Sequence, residues 1–217
     1  MQLRRTANAG VLLELDGVRI LMDGVCREVR PYPTTPPEEK DALCKSFPDV
    51  VCFTHAHKDH YDPAFASLYE KQNGGAIFGP EGLPGCKPTM EEKIVQGVTV
   101  KPIPSRHIGA AGKTTPHASF ILQGSQTVWF LGDAAPMQWK GREELPKPDV
   151  AILPYAYANT TSSWEFTKSL GAQHIFLVHM PKPEDDIIGL WQAVTTVTKE
   201  NGDENFTILP MQETITI

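Results

Sequence analysis

The chain has 217 residues, of which 41% are hydrophobic and 21% are charged, and its formal net charge is −6. This composition is typical of a globular protein with one sizeable core. The acidic balance argues against a non-specific grip on nucleic acid or on an anionic membrane, because both need a basic surface.

The first predicted elements are two β-prone runs, 11–15 and 18–22, which flank the turn Asp16-Gly17 and indicate a hairpin. Charged residues interrupt the apolar residues of this region, so the sequence predicts neither a signal peptide nor a membrane span, and we expect a cytoplasmic protein. A proline-rich loop follows at 26–47, with a short helix predicted at 37–43. A loop of this length is either functional or a surface insertion, and the sequence leaves both open.

A buried strand is predicted at 49–54, followed by a helix at 62–71 that has Asp62 as its N-cap and Gly74 beyond its last turn. The four cysteines form no close pair that would indicate a zinc ribbon or a redox motif. Further strands are predicted at 76–78, 98–103, 118–122, 127–131, 150–153, 175–178, 206–209 and 213–217, and a helix at 187–199. No break in composition divides them, so residues 1–217 are predicted to form one mixed α/β domain.

Four metal-competent side chains lie directly after the strand at 49–54: His55, His57, Asp59 and His60. Packed histidines gain nothing from crowding and repel each other when protonated, whereas a divalent cation takes neutral imidazole and carboxylate as ligands. His55 and His57 point to the same side if the backbone between them is extended. The H-x-H-x-D-H spacing therefore predicts a metal site to which all four residues contribute.

Three further residues of this kind, His107, Asp133 and His179, also follow predicted strands. In open α/β sheets, sites assemble at the carboxyl ends of strands, so these residues are predicted to join the same site. Each of them alone could be a loop, turn or strand-end residue, and only their joint pattern favours ligand roles. His174 is interpreted as structural, and for His117 the non-ligand role is favoured over a role in the pocket.

The ordered motifs resemble those of the metallo-β-lactamase superfamily, and the resemblance runs from Asn8-Ala9-Gly10 to the C-terminus. It implies a four-layer αβ/βα sandwich with two metal ions at one edge of its two sheets. It also implies that His55, His57 and His107 hold one ion, that Asp59, His60 and His179 hold the other, and that Asp133 bridges them. Asp23, the early aspartate of the series, would orient a loop group or a ligand without touching metal.

A metal pair of this kind lowers the pKa of a shared water and stabilises developing charge, which suits hydrolysis of an ester, lactone, amide, thioester or phosphodiester. Asp59 and Asp133 are the predicted catalytic carboxylates, and zinc is the expected metal, with manganese and iron left open. His57 stands where flavodiiron oxidoreductases of this fold usually carry Glu, which disfavours di-iron redox chemistry. His60 together with Asp133 is a combination that true class B β-lactamases usually lack.

The pattern is more similar to the glyoxalase II, phosphodiesterase, tRNA-processing nuclease and sugar-phosphate lactonase branches, and among compact members to the ascorbate-6-phosphate-lactonase-like group. We expect a small anionic substrate, with Arg106, His117 and Tyr157 as candidate contacts, although Tyr155 could take the place of Tyr157. The alternatives are a mononuclear iron persulfide dioxygenase, a tRNA-processing-type phosphodiesterase and a non-catalytic binding module. The sequence leaves the substrate and the oligomeric state open, a homo-oligomer included.

Overall fold

Two β-sheets form the centre of the computed structural model, which describes residues 1–142, 144–199 and 205–217. In chain order, the strands are β1 (Gln2–Arg5), β2 (Val11–Leu15), β3 (Val18–Met22), β4 (Val50–Cys52), β5 (Ile77–Phe78), β6 (Lys93–Val95), β7 (Val98–Pro104), β8 (Ala118–Gln123), β9 (Thr127–Phe130), β10 (Val150–Pro154), β11 (His174–Val178), β12 (Phe206–Ile208) and β13 (Thr214–Thr216).

The first sheet has the strand order β13-β1-β2-β3-β4-β5, and the second has the order β12-β11-β10-β9-β8-β7-β6. Strands β3, β4 and β5 are parallel to one another, and so are β9 to β12, whereas the other neighbouring pairs are antiparallel. The carboxyl ends of the parallel strands therefore lie together along one edge of each sheet, and this edge carries the predicted ligands.

Four α-helices cover the outer faces of the sheets within the described part of the chain: α1 (Pro37–Lys45), α2 (Pro63–Asn73), α3 (Thr161–Ser169) and α4 (Leu190–Lys199). Leu43 of α1 and Phe65 of α2 share a buried cluster with residues of the first sheet. Trp164 of α3 and Val194 of α4 share another with residues of the second sheet. A third cluster combines residues of both sheets and fills the space between them. The predicted four-layer αβ/βα sandwich is confirmed.

Several local predictions agree with the structure. Strands β2 and β3 form the hairpin, and Asp16 and Gly17 at its turn have positive φ angles of 53° and 81°. Asp62 caps α2 by accepting from the Ala64 N–H at 2.8 Å, and Gly74 ends the helix in the left-handed conformation. The four cysteines are free. Among the described residues, no helix is both long enough and apolar enough to span a bilayer.

Other elements were not predicted from the sequence, namely β1, β6 and α3. Strand β1 contains Arg4 and Arg5, which hide the apolar alternation, and α3 begins with a capping box of Thr160 and Ser163 that lacks the usual Glu or Gln. Helix α4 begins at Leu190 rather than at residue 187, because Gly189 before it has a positive φ angle of 74°.

Candidate metal centre

The loops that follow the strands bring all seven predicted ligands to one edge of the sandwich. His55, His57, Asp59 and His60 lie after β4, while His107 follows β7, Asp133 follows β9 and His179 follows β11. Backbone hydrogen bonds join these loops, since Ala118 N donates to the Thr54 carbonyl at 2.9 Å and Ile108 N donates to the Asp133 carbonyl at 2.8 Å. The centre is therefore built on the closely spaced ends of both sheets.

Asp133 lies in the middle of the cluster. Its Oδ2 atom is 3.5 Å from Nε2 of His60, 3.5 Å from Nε2 of His179 and 3.6 Å from Nε2 of His107. Two atoms that bind the same ion at about 2.0–2.2 Å must lie within about 4.4 Å of each other, so these separations fit shared coordination. Three groups have all their ligand atoms within 4.8 Å of one another: His55, His57 and His107; His55, His60 and Asp133; and Asp59, His60 and His179.

Hydrogen bonds at Nδ1 determine the tautomers of three histidines. His107 Nδ1 donates to the Ile108 carbonyl at 2.7 Å, and His60 Nδ1 donates to Asp23 Oδ2 at 2.8 Å. The Thr54 hydroxyl donates to Asp23 Oδ2 at 2.6 Å, so its oxygen can only accept from His55 Nδ1 at 2.9 Å. In its neutral form, each of the three rings therefore presents an unprotonated Nε2 to the centre.

Buried atoms without hydrogen bonds indicate what this centre binds. Nε2 of His55, His60, His107 and His179 and Oδ1 of Asp133 are buried and have no hydrogen-bond partner among the described residues. A buried polar atom without a partner costs about 1–3 kcal/mol, and five of them in one cluster call for a common ligand. A divalent cation accepts lone pairs from imidazole and carboxylate, so the residues present fit a metal ion.

The charges of the cluster favour a cation as well. Burial lowers the pKa of His55 well below its ordinary value, so this ring stays neutral. Burial acts in the same direction on His60, but the nearby charge of Asp133 outweighs it and raises the pKa of His60 well above its ordinary value. The pKa of Asp133 is held well below its ordinary value, against the effect of burial, by the charges of His179 and His60. In the metal-free protein, the proton on His60 thus balances Asp133.

Asp23 lies behind the predicted ligands. It is fully buried and belongs to none of the three ligand groups. Its carboxylate accepts from Thr54 N at 2.7 Å, from Thr54 Oγ1 at 2.6 Å and from His60 Nδ1 at 2.8 Å. Asp23 therefore orients His60 directly and His55 through Thr54.

Arg106 and His117 flank the His107 side of the centre. Arg106 is exposed beside His107, and the side chain of Gln138 holds its backbone N–H at 2.6 Å and its carbonyl at 3.2 Å. The ring of His117 lies 5.1 Å from that of His55 and 5.7 Å from that of His107, measured between centroids. His117 belongs to none of the three ligand groups, so it adjoins the centre without completing a ligand set.

A chain of hydroxyls determines the tautomer of His117. Ser119 Oγ donates to the Leu131 carbonyl at 2.8 Å, so Ser105 is the donor in the 3.1 Å contact between the two serine oxygens. Ser105 Oγ then accepts from His117 Nδ1 at 2.7 Å, which leaves Nε2 of His117 unprotonated and buried. Burial lowers the pKa of His117 to about 3.

The prediction that Tyr157 contacts substrate is wrong. Its side chain is fully buried in the core under the second sheet, and its hydroxyl accepts from Trp139 Nε1 at 2.8 Å. Tyr155, which precedes it in the same 3-10 helix, instead contacts the His179 ring at 5.6 Å between centroids. The two tyrosines are two residues apart in a short helix, so their side chains point in different directions. The sequence alone did not distinguish them.

Two residues beside the centre were not singled out from the sequence. Tyr32, in the proline-rich loop, contacts the edge of the His179 ring at 4.5 Å between centroids. This loop, whose role the sequence left open, thus lies beside the centre. Asn8, between β1 and β2, donates from Nδ2 to Asp59 Oδ2 at 3.1 Å. A signal for Asn8 was its polar side chain beside two small residues, Ala9 and Gly10, at a strand connection.

Comparisons with known proteins show the family and the fold of this chain. The family model described as a beta-lactamase superfamily domain matches residues 2–179. A UPF0173 metal-dependent hydrolase of Methanopyrus kandleri is 27% identical over 192 residues, which are 78% of this chain and 78% of the relative. Two solved structures show the same fold. Igni18, a metallo hydrolase from Ignicoccus hospitalis, is 21% identical, with a TM-score of 0.67 over 99% of this chain and 97% of its own. An isothiocyanate hydrolase from Delia radicum gut bacteria is 18% identical, with a TM-score of 0.73 over 100% and 99%.

Proposed function

Because this chain belongs to the metallo-β-lactamase superfamily, we propose that it is a metal-dependent hydrolase whose seven histidine and aspartate ligands hold two divalent metal ions. Zinc is the proposed metal. The observation that carries the proposal is the set of buried Nε2 atoms around the Asp133 carboxylate, which have no hydrogen-bond partner among the described residues. Such atoms can coordinate a cation without first losing a hydrogen bond, and His60 would release its extra proton on metal binding.

The division of ligands follows the clusters of ligand atoms. We assign His55, His57 and His107 to a first ion and Asp59, His60 and His179 to a second ion. Asp133 belongs to a group with His55 and His60, one residue from each set, which supports a bridging role. We use the names first half and second half for these two sets of three ligands.

The chemistry of the proposed reaction is hydrolysis of an ester, lactone, thioester or phosphodiester bond. Bound divalent ions lower the pKa of a coordinated water towards neutrality and polarise the bond to be cleaved. Asp59 is less buried than Asp133, with 15% of its side chain exposed against 9%, so it is the carboxylate better placed to take up a proton from the attacking water. The close approach of His179, whose Nε2 lies 3.1 Å from Asp59 Oδ2, and the charge of His60 lower the pKa of Asp59 against the effect of burial, which keeps it ionised.

The substrate is proposed to be a small anionic molecule. Arg106 is exposed beside His107. Two hydrogen bonds between the Gln138 side chain and the Arg106 backbone hold this residue at the rim of the first half. A guanidinium there can pair with a phosphate or carboxylate of the substrate. Tyr32 and Tyr155 contact His179 with their rings and limit the space beside the second half.

Metal analysis combined with a substrate screen tests the proposal. We expect about two divalent ions per chain and turnover of at least one ester, lactone, thioester or phosphodiester, and isothiocyanates join the screen because a protein of the same fold hydrolyses them. Replacing Asp59 with Ala should abolish that turnover while the fold is kept. Unchanged turnover in this variant would contradict the role given to Asp59. One iron per chain without a second metal would contradict the two-ion hydrolase and favour the persulfide dioxygenase.

A further inference from the structure

Asn8 contacts two ligands of the second half at the same time. Its side-chain Nδ2 donates to Asp59 Oδ2 at 3.1 Å, and its backbone carbonyl accepts from the His179 N–H at 3.0 Å. Asn8 is fully buried. One residue near the N-terminus thus holds a carboxylate from the loop after β4 and a histidine from the end of β11.

Arg5 supports Asn8 and the residue after His179 through hydrogen bonds to their carbonyls. Its guanidinium donates to the carbonyls of Asn8 at 3.0 Å, Met180 at 2.7 Å, Ala7 at 3.1 Å and Leu209 at 3.2 Å. Arg5 is the last residue of β1 in the first sheet. Met180 and Leu209 belong to the second-sheet side, because Met180 follows β11 after His179 and Leu209 follows β12 directly. Within the described part of the chain, the Arg5 guanidinium has no carboxylate partner, so the four hydrogen bonds from its three nitrogens serve to hold the backbone in place.

His179 needs such support because its backbone is strained. It has a positive φ angle of 60°, which costs a residue other than glycine about 1–2 kcal/mol. Strained conformations of this kind persist only where the surroundings over-determine them. The His179 N–H donates to the Asn8 carbonyl, and the carbonyl of the following residue, Met180, accepts from Arg5.

We propose that Arg5 and Asn8 form an inter-sheet clamp that positions Asp59 and His179 and thereby sets the affinity of the second ion. This inference rests on the proposed function, because it presumes the two-ion centre. Neither residue touches the reacting atoms, so both are positioning residues. The first half does not depend on this clamp, since His55 and His107 are held by hydrogen bonds to Thr54 and Ile108, their own neighbours in the chain.

Metal titration of the metal-stripped, full-length protein tests the clamp, with zinc as the probe and competition by a chromophoric chelator as the readout. In Asn8→Ala, the second ion should bind about 10- to 100-fold more weakly, as is typical when a hydrogen bond to a metal ligand is lost, while the first ion binds as in the wild type. Arg5→Lys should show the same selective loss, because a lysine cannot contact four carbonyls at once.

Asn73→Ala is the matched control. The Asn73 side chain donates to the Pro48 carbonyl at 3.3 Å, before β4 begins and therefore at the end of the sheet opposite the ligands. Both zinc affinities should stay unchanged in this variant. A clamp that only stabilised the fold would lower the melting temperature and weaken both ions alike, and that result for Asn8→Ala would overturn the proposal.

Unchanged affinities in Asn8→Ala would overturn it as well. The failure of the proposed function looks different, because a wild-type protein that binds one ion contradicts the two-ion centre. The clamp is then judged on that single ion, which must bind at least about 10-fold more weakly in Asn8→Ala than in Asn73→Ala for the inference to stand.

Discussion

The two halves of the centre are held in different ways. In the first half, His55 and His107 donate from Nδ1 to groups one residue away in the chain, and His57 is the least buried of the three ligands. In the second half, His60 depends on Asp23, 37 residues away, Asp59 on Asn8, 51 residues away, and His179 also on Asn8. Apart from the indirect support that Asp23 gives to His55 through Thr54, the first half is therefore organised locally, whereas the second half is organised by tertiary structure.

This difference indicates which ligands lose their orientation when a distant part of the fold is changed. A ligand oriented by its own neighbour keeps its orientation when a distant part of the fold is disturbed. A ligand oriented by a residue from another strand loses it when the strands move relative to each other, since supporting groups fix ring orientation and ligand basicity. We expect the second ion to be the more sensitive to substitutions in the N-terminal strands.

The largest effect is expected for Asp133→Ala, which removes the ligand proposed to bridge the two halves. Loss of metal-based charge stabilisation is worth several kcal/mol, so turnover should fall by about a thousandfold or more, and both ions should bind more weakly. Asp59→Ala is the matched variant, in which the first ion should keep its affinity. Steady-state rates and zinc titration on both variants check this, and equal loss of both ions in Asp59→Ala would break the distinction between the halves.

Asp23→Asn should give the next largest effect, because Asp23 is where the two halves meet. It accepts from His60 directly and from Thr54, whose hydroxyl in turn accepts from His55. The amide of Asn accepts hydrogen bonds only with its oxygen, because its nitrogen is a donor, so one of these contacts is lost. Both ions should therefore bind about 10- to 100-fold more weakly.

Asp49→Asn is the control for Asp23→Asn in the same zinc titration. Asp49 also accepts from backbone, at 2.8 Å from the Arg19 N–H, but it lies before β4, at the end of the strands away from the ligands. Its substitution should leave both affinities unchanged. Loss of only one ion in Asp23→Asn would show that the halves share less support than the hydrogen bonds indicate.

Gly132→Ala should destabilise the junction between the sheets. Gly132 has a positive φ angle of 53°, and a Cβ atom there would overlap the Thr54 side chain. Backbone strain and overpacking together should cost about 1–3 kcal/mol of unfolding free energy. At Gly97, with a φ angle of 94°, an added Cβ meets open space, so Gly97→Ala pays only the backbone term. Thermal unfolding of the two variants should differ, and an equal loss would contradict the steric argument.

The proposed ligands could be singled out from the sequence, whereas the residues that support them could not, for a physical reason. Metal ligation needs particular side chains at particular strand ends, so His55 to His60, His107, Asp133 and His179 stand out in the chain. Hydrogen bonds such as those of Arg5 and Asn8 are made to backbone carbonyls or to distant side chains, and any buried polar residue can make them. Their partners become evident only once the register of the strands is known.

The same limit applies to the substrate contacts and to the secondary structure. Tyr155 and Tyr157 have the same residue type and nearly the same position, yet one contacts His179 and the other fills the core. Strand β1 was missed because its two arginines conceal a strand, although one of them forms the inter-sheet clamp. Departures from the simple hydrophobic pattern thus coincided with the residues that support the centre.

The smallest expected effect concerns His117, which adjoins the first half without belonging to it. Burial lowers its pKa from 6.5 to about 3, so between these pH values the unfolded chain binds a proton that the folded protein does not. Stability of the metal-free protein should therefore fall as the pH drops below about 6.5, at most by about 1.4 kcal/mol per pH unit for this group. In His117→Phe, the loss of stability between pH 6 and pH 5 should be smaller by about 1 kcal/mol. Urea unfolding at pH 5, 6 and 8 measures it, and the pH 8 value isolates the change in packing because both forms of His117 are then neutral. An identical pH dependence in the two proteins would show that His117 is not held neutral by the fold.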